Sequence, residues 1–263
     1  MVTETIEFYK EGFFGYGNDG EFQYWSLAHF VPIVVLAVVV CLIYRFRKNL
    51  IKFRHEEEVR FLLGGLCLFF WMSYYWRLLY VGNEGNGQNT FLTKLPLELC
   101  EWNCVLSSFM IMKKSRRMFG MSFLITFTFG IIPLITPATI SNAGPCYFRY
   151  YQFWLMHILP PVINFYMLFV HGFELRKRDI LNAECFCLIL LFFAITANLL
   201  IPGANYCYIA ANTEQSTIAN GLPDSMAVKS VIAIFGALIL FSSIYAVYYF
   251  IKRKYESKRE SIK

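Results

Sequence analysis

The sequence predicts an all-α, polytopic membrane protein with seven transmembrane helices, on three observations. The first is composition: 57% of the 263 residues are hydrophobic, 19% are aromatic, and the mean hydropathy is +0.47. That is too apolar for an ordinary soluble domain. The second is length: a helix crosses a bilayer with about 20 mostly apolar residues, and seven such stretches occur, roughly 27–46, 59–80, 95–112, 117–137, 148–171, 181–201 and 227–250. The third is charge: nineteen of the 24 basic residues fall in the links after stretches one, three and five and in the tail, while 81–93, 138–147 and 202–226 carry none. The positive-inside rule then places the N-terminus outside and the C-terminus in the cytoplasm. The net charge of +6 follows from this distribution and does not point to nucleic acid. The expected organisation is an outer-surface segment over 1–26, a seven-helix domain over 27–250 and a basic tail over 251–263.

Each element has its own signals. Residues 1–26 carry Glu4, Glu7, Glu11 and Glu21 without a basic stretch before a short apolar core, so a retained first span is expected rather than a cleaved signal. Their aromatic residues suit the headgroup level. Gly82-Asn83-Glu84-Gly85-Asn86-Gly87 reads as a flexible outer loop. Pro96 suits the first turn of span three, where its missing N–H is not needed. Pro160-Pro161 interrupts span five at a depth where broken backbone survives only inside protein or beside a cavity. The link 202–226 is the longest, of the kind that often shapes a site. No internal repeat is visible, which disfavours an inverted-repeat transporter.

Polar groups inside spans are costly and are functional candidates. On span three, Cys100, Asn103, Cys104 and Ser107 share one helical face, while Glu98 and Glu101 lie on another. Arg77 ends span two, and two roles are open to it: pairing with Glu98 or Glu101, or holding a lipid phosphate, which its planar fork suits. Arg149 is a second headgroup candidate. On span five, Tyr150, Phe153, Trp154, His157, Pro161 and Asn164 form a stripe, in which Phe153 and Trp154 are candidates for lining acyl chains. The bland alternative for His157 is an inter-helix hydrogen bond; for most of the eight cysteines it is a small apolar filler. Cys146 and Cys207 fall in outer links where a disulfide is chemically allowed. There is no CxxC pair and no His/Cys cluster at zinc spacing, so no metal or other cofactor is expected.

Depth gathers the candidates. At about 1.5 Å per residue, Cys100 lies roughly 7–9 Å and His157 roughly 13–15 Å below the outer boundary. Asn198, Asn205 and Tyr206 sit at the outer end of span six or just beyond. A thiol in a membrane is largely protonated and needs a base to attack a carbonyl. His157 would supply the base, and Asn103, Asn198 or Asn205, with Tyr206, would orient groups or stabilise an oxyanion.

The run Leu95-Pro96-Leu97-Glu98-Leu99-Cys100, the Thr136-Pro137 step, Arg149-Tyr150-Tyr151-Gln152 leading to His157, and Gly203-Ala204-Asn205-Tyr206 resemble the bacterial YwaF-like integral membrane proteins, a group similar to the animal transmembrane protein 164 family. The resemblance covers about residues 25–250. It implies a multi-pass protein of the bacterial plasma membrane. It also implies acyltransferase activity moving a fatty acyl chain between phospholipid and lysophospholipid, with Cys100 as acyl-carrying nucleophile and His157 as acid/base. Two departures from the pattern stand out. Glu98 and Glu101 flank the cysteine, and Cys104 lies one turn below it as a rival nucleophile. Two other classes compete with the enzyme. In a lipid or small-ligand carrier, His157 and the asparagines would only bind. In an accessory subunit, the same groups would serve helix packing.

Overall fold

A computed structural model describes residues 12–15, 22–81, 94–137, 143–210, 221 and 223–260. The expected glycine-rich loop at 82–87, most of the aromatic N-terminal segment and much of the link 202–226 lie outside the described residues. The described residues are all-α, without strands. The elements are α1 (Leu27–Leu50), α2 (Glu56–Val81), α3 (Leu99–Lys113), α4 (Arg116–Ile125), a π turn (Thr126–Gly130), α5 (Ile132–Ile135), α6 (Phe148–Phe169), α7 (Lys177–Leu200), a 3-10 turn (Tyr206–Tyr208) and α8 (Met226–Glu260). Among the described residues, five segments are long and apolar enough to cross a membrane: Leu27–Leu50, Glu56–Leu79, Arg116–Ile135, Lys177–Leu200 and Met226–Lys254. The other two expected spans correspond to α3 and α6, which form the centre of the bundle.

α3 packs against α2, α4 and α6, and α6 also packs against α1, α2 and α4. α7 joins the bundle through α4 and α8. α3 and α6 run parallel. Cys104 of α3 meets Met156 of α6 at one level. Further along, Glu56 and Arg60 bridge Tyr166 of α6 to the Ile111 and Met112 carbonyls of α3. Those Arg60 bonds satisfy carbonyls left unpaired at the end of α3. Lys114 then adopts a left-handed conformation, Ser115 N–H closes on Met110 O at 3.0 Å, and Ser115 Oγ accepts from Met118 N–H to start α4.

Two proline expectations are corrected. α3 begins at Leu99, not around Pro96. Residues 95–97 are held outside the helix because Tyr206 Oη accepts from Leu95 N–H at 2.8 Å and the Cys207 thiol donates to Leu97 O at 3.4 Å. Glu98 and Glu101 form a reciprocal capping box that opens the helix instead. α6, in turn, runs unbroken through Pro160 and Pro161. A proline withholds the N–H that would bond the carbonyl four residues earlier, so Pro160 leaves Met156 O without its helical partner. The Cys104 thiol fills that vacancy at 3.3 Å, a repair by a neighbouring helix of the kind membrane helices use.

Candidate functional site

Three of the family-like motifs meet at one end of the bundle. The 95–97 segment lies along the 206–208 turn and shares an apolar cluster with Ala194, Ala197 and Ala204. Asn198 clasps that turn, donating from Nδ2 to Tyr206 O at 3.1 Å and accepting Tyr206 N–H on Oδ1 at 2.8 Å. Glu98 Oε1 accepts Cys207 N–H at 3.3 Å, tying the turn to the start of α3. Cys207 and Tyr208 both have positive φ, 55° and 56°. Consecutive left-handed residues other than glycine are uncommon and strained. Here the contacts of Glu98 and Leu97 to Cys207, and of Asn198 to the preceding Tyr206, hold the turn. The Arg149 to His157 stretch of α6 reaches the same end through Tyr74: the Arg149 guanidinium lies 4.7 Å from the Tyr74 ring centroid and 5.6 Å from that of Phe153. Thr136, by contrast, is exposed beyond α5 and bonds only to its own turn at Ile132.

Within this end the thiols divide by role. Cys100 is half-buried, whereas Cys104 is buried and committed to Met156 O. Cys104 O in turn accepts from Ser108 Oγ at 2.8 Å and from the Cys67 thiol at 3.7 Å. All eight cysteines are free, and Cys207 faces Leu97, so the disulfide allowed between Cys146 and Cys207 is not formed.

The histidines divide as sharply. His29 is fully buried with both ring nitrogens used: Nδ1 accepts Trp25 N–H at 3.2 Å, so Nε2 carries the proton and donates to Leu134 O at 2.9 Å. His157 donates from Nδ1 to Phe153 O at 2.7 Å. That bond stays within its own helix, not between helices as in the bland reading. It fixes the tautomer and leaves the Nε2 lone pair without a hydrogen bond among the described residues. Helical side chains lean toward the N-terminus, and the His157 ring lies 4.4 Å from that of Phe153, one turn back toward the Cys100 end. No hydrogen bond joins Cys100 to His157. By the register of Cys104 on Met156, Cys100 is about 6 Å nearer the bundle end than that contact.

The remaining candidates have definite places. Asn103 is buried and accepts from Thr126 Oγ1 at 3.0 Å. It belongs to a network in which Asn164 Nδ2 donates to Thr126 Oγ1, Ser122 Oγ and Pro160 O, and Ser122 meets Ser107 at 2.8 Å. Asn205 Oδ1 accepts Ala210 N–H at 3.0 Å, and its buried Nδ2 has no partner among the described residues. Arg77 is buried and donates to Phe14 O and Gly15 O at 3.1 and 3.2 Å. No ion pair joins it to Glu98 or Glu101, so the first of its two open roles is not the one the structure shows. Glu101 instead accepts from Tyr75 Oη and from Glu98 N–H. Arg149 donates to Gln152, which donates to Phe70 O at 2.9 Å. Phe153 faces Arg149 and His157, whereas Trp154 faces Phe22 and His29 at centroid distances of 6.2 and 5.7 Å. Tyr75, Gln152 and Cys207 have site roles that sequence reasoning missed. The one available signal was a phenol and an amide on otherwise apolar helices.

The model of the TMEM164 family matches residues 24–226, more than three quarters of the chain. The chain belongs to the TMEM164 family. The match takes in all the motifs gathered at this end. No curated protein and no solved structure matches the chain.

Proposed function

We propose that this TMEM164-family protein is an integral membrane acyltransferase that moves a fatty acyl chain between phospholipid and lysophospholipid through a Cys100 thioester. One observation carries the reading: His157 holds its proton on Nδ1 against Phe153 O and keeps Nε2 uncommitted, at the end of the bundle where Cys100 and Cys207 are both half-buried and the Cys207 thiol is taken by Leu97 O. In this reading the chain crosses the membrane seven times, α3 and α6 included, with the Cys100 end outward and the C-terminus in the cytoplasm. Cys100 Sγ attacks the ester carbonyl of a phospholipid. The S–C bond forms, the ester C–O bond breaks, and His157 Nε2 carries the thiol proton to the departing alkoxide, releasing lysophospholipid. The hydroxyl of a second lysophospholipid then attacks the thioester, with His157 taking its proton and returning it to the Cys100 sulfur. Phe153 contacts the acyl chain and Arg149 the headgroup phosphate. Asn103, Asn198 and Tyr206 hold the scaffold, and the buried Asn205 Nδ2 is the available oxyanion donor. An outward site favours a phospholipid donor over acyl-CoA, which is charged and cytoplasmic.

The test is transfer of a labelled acyl chain from phosphatidylcholine to added lysophospholipid in proteoliposomes without CoA. Wild type forms labelled product and Cys100→Ser does not. Unchanged lipid binding together with absence of transfer in both proteins would favour the carrier reading.

A further inference from the structure

The opposite end of the bundle holds a second feature of different chemistry. α4 starts where α3 ends, and α7 packs against it, so two helix N-termini converge about 20 Å from Cys100. A cleft of about 460 Å³ opens there, lined by Arg116, Arg117, Arg176, Arg178, Asp179 and Asn182. Its floor is fixed. Arg116 donates to both Asp179 oxygens, at 3.3 and 2.7 Å, and Asp179 also accepts Arg176 N–H at 2.8 Å. Gly120 makes this possible, since a Cβ there would lie 2.2 Å from Asp179 Cγ. Asp179 balances one guanidinium and leaves three. Arg117 and Arg178 are exposed and have no ion-pair partner among the described residues, and Arg116 Nε is buried without a partner. Ser115 Oγ takes the Met118 N–H and Arg176 O takes the Asp179 N–H, and the first-turn N–H groups that remain, those of Arg116 and Arg117 on α4 and of Lys177 and Arg178 on α7, add donors at positive dipole ends.

We propose that this cleft binds a phosphate-bearing ligand of multiple negative charge, a phosphomonoester or pyrophosphate group. Basic loops that serve only membrane orientation have no reason to enclose a cleft or to seat one arginine on a carboxylate that glycine must accommodate. Planar guanidinium forks match phosphate oxygens in pairs, helix N-termini favour the same charge, and the volume falls in the range of small-molecule sites, about 300–1,000 Å³. Two sources carry this chemistry: a soluble phosphorylated molecule, or a phosphomonoester headgroup of a membrane lipid. The site is independent of the acyl-transfer reading and survives its failure.

The experiment uses the full chain. Sodium pyrophosphate is titrated calorimetrically into detergent-purified protein, and thermal unfolding is followed in phosphatidylcholine nanodiscs with and without phosphatidic acid. The double variant Arg117→Ala/Arg178→Ala touches only exposed side chains. The control Arg253→Ala/Lys254→Ala removes the same charge from the exposed tail. Pyrophosphate binding that weakens about tenfold or more in the cleft variant alone supports a soluble ligand. Stabilisation by phosphatidic acid alone, lost in the cleft variant alone, supports a lipid headgroup. Binding of neither probe, or equal losses in both variants, overturns the proposal.

Discussion

α3 and α6 differ from α1 and α8 in almost every physical respect. α1 and α8 are strongly apolar and mostly uncovered, with about a sixth of their most apolar stretch buried. Val31, Val34, Val35 and Val38 of α1 and Phe235, Ile239 and Phe250 of α8 all face outward. α3 and α6 bury Glu101, Asn103, Ser107, Ser108, Gln152, His157 and Asn164. The outer helices solve one problem, matching hydrocarbon. The inner pair must satisfy polar atoms away from water, which is costly unless each finds a partner. Almost every one does: Cys104 covers a carbonyl exposed by proline, Asn103 takes Thr126, and Glu101 takes Tyr75. Trp154 Nε1 and Asn164 Oδ1 on α6 are exceptions among the described residues, and His157 bonds only through Nδ1, which leaves its Nε2 as the exception capable of acid–base chemistry.

The comparison yields predictions of decreasing size. Cys100→Ala should abolish acyl transfer while leaving the unfolding midpoint near wild type. A comparable loss in Cys104→Ala would reverse the division of roles between the thiols. His157→Gln should lower transfer by about 10²–10⁴-fold, the usual worth of a general acid–base group, with little change in stability. His29→Gln should do the converse. It disturbs one buried and one part-buried hydrogen bond and should cost about 1–3 kcal/mol in denaturant unfolding, with transfer preserved in the folded fraction. Cys104→Ala uncovers Met156 O and should cost about 1 kcal/mol, with Cys104→Ser recovering most of it. On the outer face of α8, Ile239→Val should stay within about 0.5 kcal/mol; a larger effect would show that this face meets protein rather than lipid.

The outer helices were the legible part of the sequence, because an unbroken apolar run and a basic link follow from the membrane itself. The inner pair was legible in position and less so in detail. Pro96 and Pro160-Pro161 carry strong local signals, yet Tyr206 and Cys207 hold residues 95–97 outside the helix and Cys104 takes up the carbonyl that Pro160 leaves unpaired in an unbroken helix. Both effects come from chain segments far away in sequence. The same holds at the site. Cys100 and His157 were visible as able groups at compatible depth. The partners of Arg77, Asn103 and Glu101 were not, since helical spacing gives a face and not the neighbour across it. Asn198 and Tyr206 meet as a clasp on the turn beyond α7, an arrangement that spacing along the chain does not show.

The most direct measurement of the central claim is the intact mass of purified protein after incubation with phosphatidylcholine, with and without hydroxylamine, for wild type, Cys100→Ala and His157→Gln. The account predicts a hydroxylamine-labile mass increase of one acyl chain. It should be present in wild type, or in His157→Gln where the second step is slowed, and absent in Cys100→Ala. An adduct that survives Cys100→Ala, or no adduct in any of the three proteins, would contradict it.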